Sequence, residues 1–456
     1  MTTVAGKPAL GSIAARLERL PHSRWHIKVR FLIGAVTFFE AFDQLLAASA
    51  LPVLMKEWNL STGQATFAVT SASIGMLLGA LVAGWLGDRI GRVRTVALGV
   101  AVTGLASLAV AFSGSIETFS MFRFVQGLGI GGVVPVAATY INEIARSDKR
   151  GRFVLLYEMI FPAGLAAATL LAVWVVPNFG WRAMFVVGTI PVLIAALLPR
   201  HVEESPRWLL ARGRTAEAEA AIARIEAEVA RATSEELPAP APASDTPEET
   251  PQGRLADLFR GRYLRRTAVL SGLWFVAYYV NHGISTWLPS LYTKQFDLDL
   301  TTALVYTLLS NVTGLLGTFV VAMLVDRIGR RPALIGALVG TVLSLGVLAL
   351  AGATSGGQVA LFASCTTFFL YAINAGLYLY SPELYPTHNR AKGAAFGGLW
   401  NRIGVILGPV TVGAIIGAGG SLTLVFAQLA AMAAVGAVIA WFAVETKGKT
   451  LEELNS

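Results

Sequence analysis

GDRIGRVR occupies residues 87–94, and VDRIGRRP occupies residues 325–332. Each follows a long apolar stretch, and Asp88 and Asp326 stand 238 residues apart. NEIARSDKRGR begins at Asn142 and PELYPTHNRAKG at Pro382. Glu143 and Glu383 are 240 residues apart, and Arg150 and Arg390 each follow their Glu by seven. A third pair, VEESPR from Val202 and VETKGK from Val444, sets Glu204 and Glu445 241 residues apart. Three charged motifs at nearly one offset, each after an equivalent apolar stretch, mark an internal duplication. Duplicated spans joined by a central connection characterise secondary transporters, whose site lies between the halves.

The chain has 456 residues, 55% hydrophobic and 14% charged, whereas soluble domains carry about 25% charged residues. Twelve apolar stretches long enough to cross a bilayer run roughly over 31–54, 66–87, 95–113, 118–144, 153–176, 181–199, 264–291, 301–325, 333–352, 356–382, 391–417 and 420–443. The expected fold is therefore an all-α membrane protein with twelve transmembrane helices in two pseudo-symmetric six-helix bundles. The expected organisation is an N-terminal bundle over 1–199 with a basic N-terminus, a cytoplasmic linker over 200–263, and a C-terminal bundle over 264–456. In the linker, TAEAEAAIARIEAEVARAT (215–233) places Ile222, Ile225 and Val229 at helical spacing. SEELPAPAPASDTPEETP (234–251) is too rich in Pro and acid to pack and reads as a flexible connection.

An even number of spans puts both termini on one side. Of the 36 Lys and Arg, only Lys56, Arg182 and Lys294 fall in the opposite loops, while Arg123 and Arg402 lie inside spans. That asymmetry places both termini in the cytoplasm. The net charge of +8 thus reports topology rather than nucleic-acid binding. Residues 1–30 are polar and basic, so no cleavable leader is expected. The single Cys365 excludes an intrachain disulfide. GLGIGG (127–132) satisfies a dinucleotide-loop pattern but lies mid-span after no strand, so close helix packing explains its glycines better. GKT (448–450) lacks the first Gly of a phosphate loop. No nucleophile–base pair, metal cluster or ATP site appears, so neither an enzyme nor a cofactor is expected.

Charges inside spans are the candidates for function. FFEAFDQLLAASALP (38–52) carries Glu40 and Asp43 one turn apart in an otherwise apolar helix. A carboxylate at bilayer depth costs about 2.5–3.5 kcal/mol by insertion scales and usually faces a cavity or a partner. Arg123 opens RFVQGLGIGG, Glu158 lies nearer the basic end of span five, and Arg402 stands in GGLWNRIGVILGP with no acid within a helical turn. An unpaired arginine in a central cavity suits an anion, because its planar fork matches a carboxylate.

The GxxxDRxGRxR loop over 84–94, its partial copy VDRIGRRP, ESPRWLL and ETKGKTLEEL, with their order along the chain, resemble the major facilitator superfamily over nearly all of residues 24–454. RLERLPHSRWHIKVR followed by FFEAFDQ resembles its branch of aromatic-acid/proton symporters, niacin-type carriers and organic-ion transporters. The resemblance implies that Asp43 is the proton site and Arg123 its charge partner, with Glu40 a second acid or a cavity group. Organic-anion members carry an Arg in the motif that holds Arg402. Sugar porters carry a Gln-Gln pair and an Asn in span seven and a Gln in span five. This chain has WFVAYYVNHG and LLYEMIFPAG instead, which disfavours a sugar.

Spans seven and ten supply the expected cavity wall. Tyr278, Asn281 and His282 lie in one, and Tyr371, Asn374 and Tyr378 in the other; Gln126 of span four joins the substrate-binding candidates. Trp274, Tyr279, Trp287, Phe369 and Tyr380 are further aromatics, and about half of all these residues of spans seven and ten are expected to line the site, the rest packing or sitting at the interface. A latch is expected at the cytoplasmic ends, made by Asp88, Arg89, Arg92, Glu143, Arg150, Glu204 and Arg207 with Asp326, Arg327, Arg330, Glu383, Arg390 and Glu445. It would hold the halves together when that side is closed, with Asp88 meeting a helix N-terminus of the other half; topological anchoring is the other reading of these charges. The chain reads as a monomeric, proton-coupled symporter of a small organic anion in a bacterial inner membrane, with an aromatic or heteroaromatic carboxylate such as benzoate or nicotinate as substrate. A sugar, polyol or organic-cation carrier is the alternative, and a sensor on the same fold a third.

Overall fold

The computed structural model describes residues 10–21, 23–144, 159–233, 237–239, 255–386 and 389–448. A short helix α1 (Leu10–Glu18) precedes the N-terminal spans α2 (Arg24–Glu57), α3 (Thr62–Ile90), α4 (Arg92–Ala111), α5 (Ile116–Ile144), α6 (Ile160–Val187) and α7 (Pro191–His201). Two connecting helices follow, α8 (Pro206–Ala211) and α9 (Thr215–Thr233), then a 3-10 turn over Leu255–Phe259. The C-terminal spans are α10 (Gly261–Ser285) with α11 (Leu288–Gln295), α12 (Leu300–Ile328), α13 (Arg330–Ala351), α14 (Gly356–Glu383), α15 (Arg390–Gly417) and α16 (Leu422–Trp441).

Nine stretches among the described residues have the length and composition to cross a membrane. One of them, Ile160–His201, divides into spans five and six at Gly180, whose φ of 80° breaks the helix just after Pro177. The other two spans are α5 and the interrupted pair α10–α11. The polar groups that α10 contributes to the central site lower its apolar content. Two expected boundaries shift. The first helix starts at Arg24 rather than near 31, so its 34 residues reach about 51 Å, well beyond a 30 Å hydrocarbon layer. Span seven is not continuous over 264–291 but breaks at Thr286–Trp287.

The duplication extends to the helix starts at the end opposite the charged motifs. Ser61 caps α3 by accepting from the Gln64 amide, and Asp299 caps α12 by accepting from Thr302, 238 residues later. Ser115 and Ser355 cap α5 and α14 in the same way, 240 residues apart. Each satisfies an otherwise orphaned N–H. The glycines of GLGIGG serve packing as expected. A side chain at Gly127 or Gly131 would overlap the carbonyls of Ala72 and Met76, so α5 lies backbone to backbone on α3.

Across the halves, α2 packs on α11, α3 on α15, and α6 on α12. One apolar core joins the C-terminal helices to the N-terminal helices from about Ala41 to Met55 and from Leu165 to Phe185. A second core, around Trp25, Val96, Tyr140 and Trp208, fills the basic end of the N-terminal half alone. Among the described residues the halves are therefore fused away from the basic end and keep separate cores at it. A span-to-span hydrogen bond, Asn311 Nδ2 to Thr169 Oγ1 at 2.9 Å, links α12 to α6.

The connecting helices dock on the N-terminal half. Ala218, Ile222, Ile225 and Val229 of α9 are wholly buried with Ile13 and Leu17 of α1. Arg16 pairs with Glu219 and Glu226, Arg19 with Glu226, and Lys28 of α2 with Glu228. The acidic and basic residues of these short helices thus serve as docking pairs around an apolar stripe. Most of 234–251, expected as a flexible connection, lies outside the described residues.

Candidate functional site

A central cavity lies between α2 and α6 on one side and α10, α14 and α15 on the other. The geometry follows from helix periodicity. With about 100° per residue, positions three, four and seven apart share a face. Tyr278, Asn281, His282 and Ser285 form one such stripe on α10, and Tyr371, Asn374 and Tyr378 form another on α14. Thr37, Glu40, Gln44 and Ala48 form the facing stripe on α2, and Asn401 and Arg402 enter from α15. The space open to the centre of a water-sized sphere is about 80 Å³. A single water needs about 10–15 Å³ of it, so a ligand of several heavy atoms fits. Tyr278 stacks on His282 with ring centroids 5.8 Å apart and an interplanar angle of 17°. The Tyr371 hydroxyl donates to Asn311 Oδ1 at 2.8 Å, so the cavity wall connects directly to a hydrogen bond that crosses the halves.

Arg402 is half-buried on this wall, and no described carboxylate forms an ion pair with it. Glu158, one possible partner, lies outside the described residues. A guanidinium facing a cavity with its fork uncommitted is an anion receptor by chemistry.

Asp43 sits one turn from Glu40 but does not share its outlook. At three residues' distance it turns about 60° to the side away from Gln44, toward α5. There Asp43 and Arg123 are 2% and 3% exposed. Arg123 donates to Asp43 Oδ2 at 3.2 Å and to Gln126 Oε1 at 2.7 Å, while Gln126 Nε2 donates to Asp43 Oδ1. Gln126, expected on the substrate wall, is thus committed to the carboxylate and the guanidinium and is wholly buried. Asp43 and Arg123 line a second, smaller cavity, which shares Gln44, Ala48, His282 and Thr286 with the first.

The pattern that defines the family described as "Sugar (and other) transporter" matches residues 30–456. The chain belongs to that family. It is 32% identical to the niacin transporter NiaP of Acinetobacter baylyi, over 97% of this chain and 99% of the relative. It is 25% identical to the 4-hydroxybenzoate transporter PcaK of the same organism, over 93% and 92%. Its fold matches the inward open conformation of the xylose transporter XylE from E. coli, with a TM-score of 0.72 at 20% identity, over 94% and 99% of the two chains. The architecture is that of the major facilitator superfamily, and the protein is a multi-pass membrane transporter of metabolites rather than an enzyme.

The charged motifs of this transporter explain themselves at the basic end. Glu204 accepts from the amides of Arg92 and Val93, capping α4. Glu445 accepts from Arg330 and Arg331, capping α13. Burial raises the Glu445 pKa, but these donors and those of Thr446 and Lys447 outweigh it, and the net shift is downward. Arg92 pairs with Asp88 at 2.8 Å and Glu143 at 3.5 Å; Arg330 pairs with Asp326 and Glu383, each at 2.9 Å. Ser205 and Thr446 donate to Glu143 and Glu383. Gly91 and Gly329, at φ of 106° and 101°, leave room for the capping carboxylates.

These pairs close within each half. Asp88, expected to meet a helix N-terminus of the other half, is committed to Arg92 one turn along. Arg89 lies over the Trp85 ring at 4.3 Å, and the Arg327 carbonyl accepts from Lys447. Arg207 stands in α8 and Arg390 opens α15; Arg150 lies outside the described residues.

Among the further aromatics, Trp274, Trp287, Tyr279 and Tyr380 bond to Ser381, Pro409, Thr411 and Val444 within the C-terminal half and do not line the cavity. Gln44, Ser285 and Asn401 are wall residues that sequence reasoning passed over. The stripe rule reaches the first two, since Gln44 is four residues beyond Glu40 and Ser285 seven beyond Tyr278.

Proposed function

We propose that the chain is a proton-coupled symporter of a small organic anion, an aromatic or heteroaromatic carboxylate, working by alternating access. The observation that carries the reading is Arg402, set without a carboxylate partner among the described residues in a cavity walled by Tyr278, His282, Tyr371 and Tyr378. The guanidinium takes the carboxylate, and the rings cover the faces of a flat ligand. The niacin and 4-hydroxybenzoate transporters among the relatives support this class. Asp43 binds the proton. Its protonation loosens its hold on Arg123, and loss of the proton restores it. Coupling follows because a proton shifts the equilibrium between conformations only by its difference in affinity for them.

The charge asymmetry supports cytoplasmic termini, the bacterial relatives support an inner-membrane location, and we take the unit of transport to be the monomer. A sugar or polyol remains the second reading, favoured by the amides on the wall, but it gives Arg402 no anion to bind. Binding of nicotinate and benzoate to the purified protein tests the assignment. Arg402→Gln removes a charge-assisted pair worth about 1.5–3 kcal/mol, or roughly tenfold to a hundredfold in affinity. Unchanged carboxylate affinity in Arg402→Gln contradicts it.

A further inference from the structure

Three asparagines from three helices converge on the central cavity: Asn281 on α10, Asn374 on α14 and Asn401 on α15. In each the Oδ1 atom is buried and has no hydrogen-bond partner. Asn281 and Asn401 are only 6% and 5% exposed. Buried side-chain polar atoms in native proteins are nearly always satisfied, so each exception requires an explanation. Away from the cavity, some buried amides are met, while the Asn389 and Gln428 oxygens are not. Gln126 bonds at both ends of its amide, and Asn311 bonds Tyr371 and Thr169. Of the five unmet amide oxygens among the described residues, three gather on the one cavity wall.

The placement indicates what meets them. Asn281 lies between Tyr278 and His282 on its stripe, and Asn374 lies between Tyr371 and Tyr378. Aromatic rings cover the faces of a flat ligand, whereas polar atoms of such a ligand project from its edge. A ligand that enters displaces water from the amides and must supply the bonds it removes. A carboxylate held by Arg402 accounts for one edge of the ligand only. An amide offers an oxygen or an NH2 according to its rotation, so it can meet a donor or an acceptor.

Building on the anion reading above, we infer that the substrate ring is itself polar. Beside the carboxylate it carries a hydroxyl or a ring nitrogen, and Asn281, Asn374 and Asn401 select for it. Unsubstituted benzoate fills the space and leaves the amides unmet. A site built to hydrogen-bond a substrate group rejects the analogue that lacks it far more strongly than an apolar pocket rejects a missing methylene.

Initial uptake rates at low concentration of labelled benzoate, 4-hydroxybenzoate and nicotinate, measured in proteoliposomes under one pH gradient, test the inference. The wild type should take up at least one polar-ring acid ten times faster than benzoate. The hydroxyl and nitrogen arms show which edge group is read. Asn281→Leu and Asn374→Leu should narrow the ratio to less than threefold, by slowing the polar acid more than benzoate. Benzoate within threefold of both polar acids in the wild type overturns the inference and leaves the anion reading standing. A tenfold preference that survives both substitutions overturns the assignment to these amides. Uptake of xylose with no carboxylate taken up removes the anion reading and this inference together. The wild-type ratio decides the inference even where a variant fails to fold.

Discussion

Arg123→Gln should cost more stability than Arg123→Gln combined with Asp43→Asn. In the wild type the two charges are 2% and 3% exposed, 3.2 Å apart, and bridged by the Gln126 amide. Arg123→Gln alone leaves a buried carboxylate with only neutral amide donors and no countercharge. Breaking a buried pair in this way costs about 3–5 kcal/mol, whereas replacing both members by neutral groups is often neutral or stabilising. In the double variant two amides and Gln126 can still exchange hydrogen bonds in the same space. The double variant should therefore recover at least about 2 kcal/mol of the single variant's loss. Thermal unfolding of the purified protein in detergent, with all variants in one micelle, gives the order. The expected order of melting temperature is wild type at or near the double variant, with Arg123→Gln clearly below both. A double variant that melts at or below Arg123→Gln refutes the claim that charge compensation holds α2 to α5.

Gly329→Ala places a methyl group 2.7 Å from the Glu445 carboxylate at a φ of 101°, and the strain of a non-Gly residue in such a conformation is about 1–3 kcal/mol. Its melting temperature should fall, while Gly84→Ala, with open space around it, should leave the melt unchanged or raise it. The docking of α9 on α1 should depend on pH. Burial pushes the Glu226 pKa up, but the bonds from Arg16 and Arg19 outweigh it and hold the carboxyl below its ordinary value of 4.5. A depressed folded pKa gives stability that is present above the unfolded value and lost as pH falls through the folded one. Amide exchange in α9 should therefore speed up relative to the spans below about pH 4.5 and be unaffected between pH 6 and 8.

Much of this architecture is legible in the chain. The repeat at 238–241 residues encodes a duplicated half, because Gly91 and Gly329, Arg92 and Arg330, and Glu204 and Glu445 build the same capped corner twice. The stripes on α10 and α14 were readable from spacing alone. What escapes the sequence is azimuth and commitment. Glu40 and Asp43 look alike as two acids a turn apart, yet a rotation of about 60° sends them to different cavities. Gln126 reads as a ligand residue until its two neighbours across the helices are known. The break in span seven at Thr286–Trp287 has only Pro289 to announce it, and a proline in the first turn after a break also fits a continuous helix with a kink. Whether a charged motif closes within a half or across halves depends on which helix ends are adjacent, and a single chain's motifs do not state that.

Accumulation of labelled nicotinate in proteoliposomes under an imposed pH gradient tests the central claim most directly, with protein-free liposomes correcting for passive entry of the neutral acid. With one proton per anion, a gradient of two pH units supports up to about a hundredfold accumulation, a factor of ten per 1.4 kcal/mol. The wild type should accumulate the acid above its external concentration, and Asp43→Asn should equilibrate it without accumulation. A wild type that only equilibrates carboxylates, or an Asp43→Asn variant that accumulates them as the wild type does, contradicts the assignment of Asp43 as the proton site of an anion symporter.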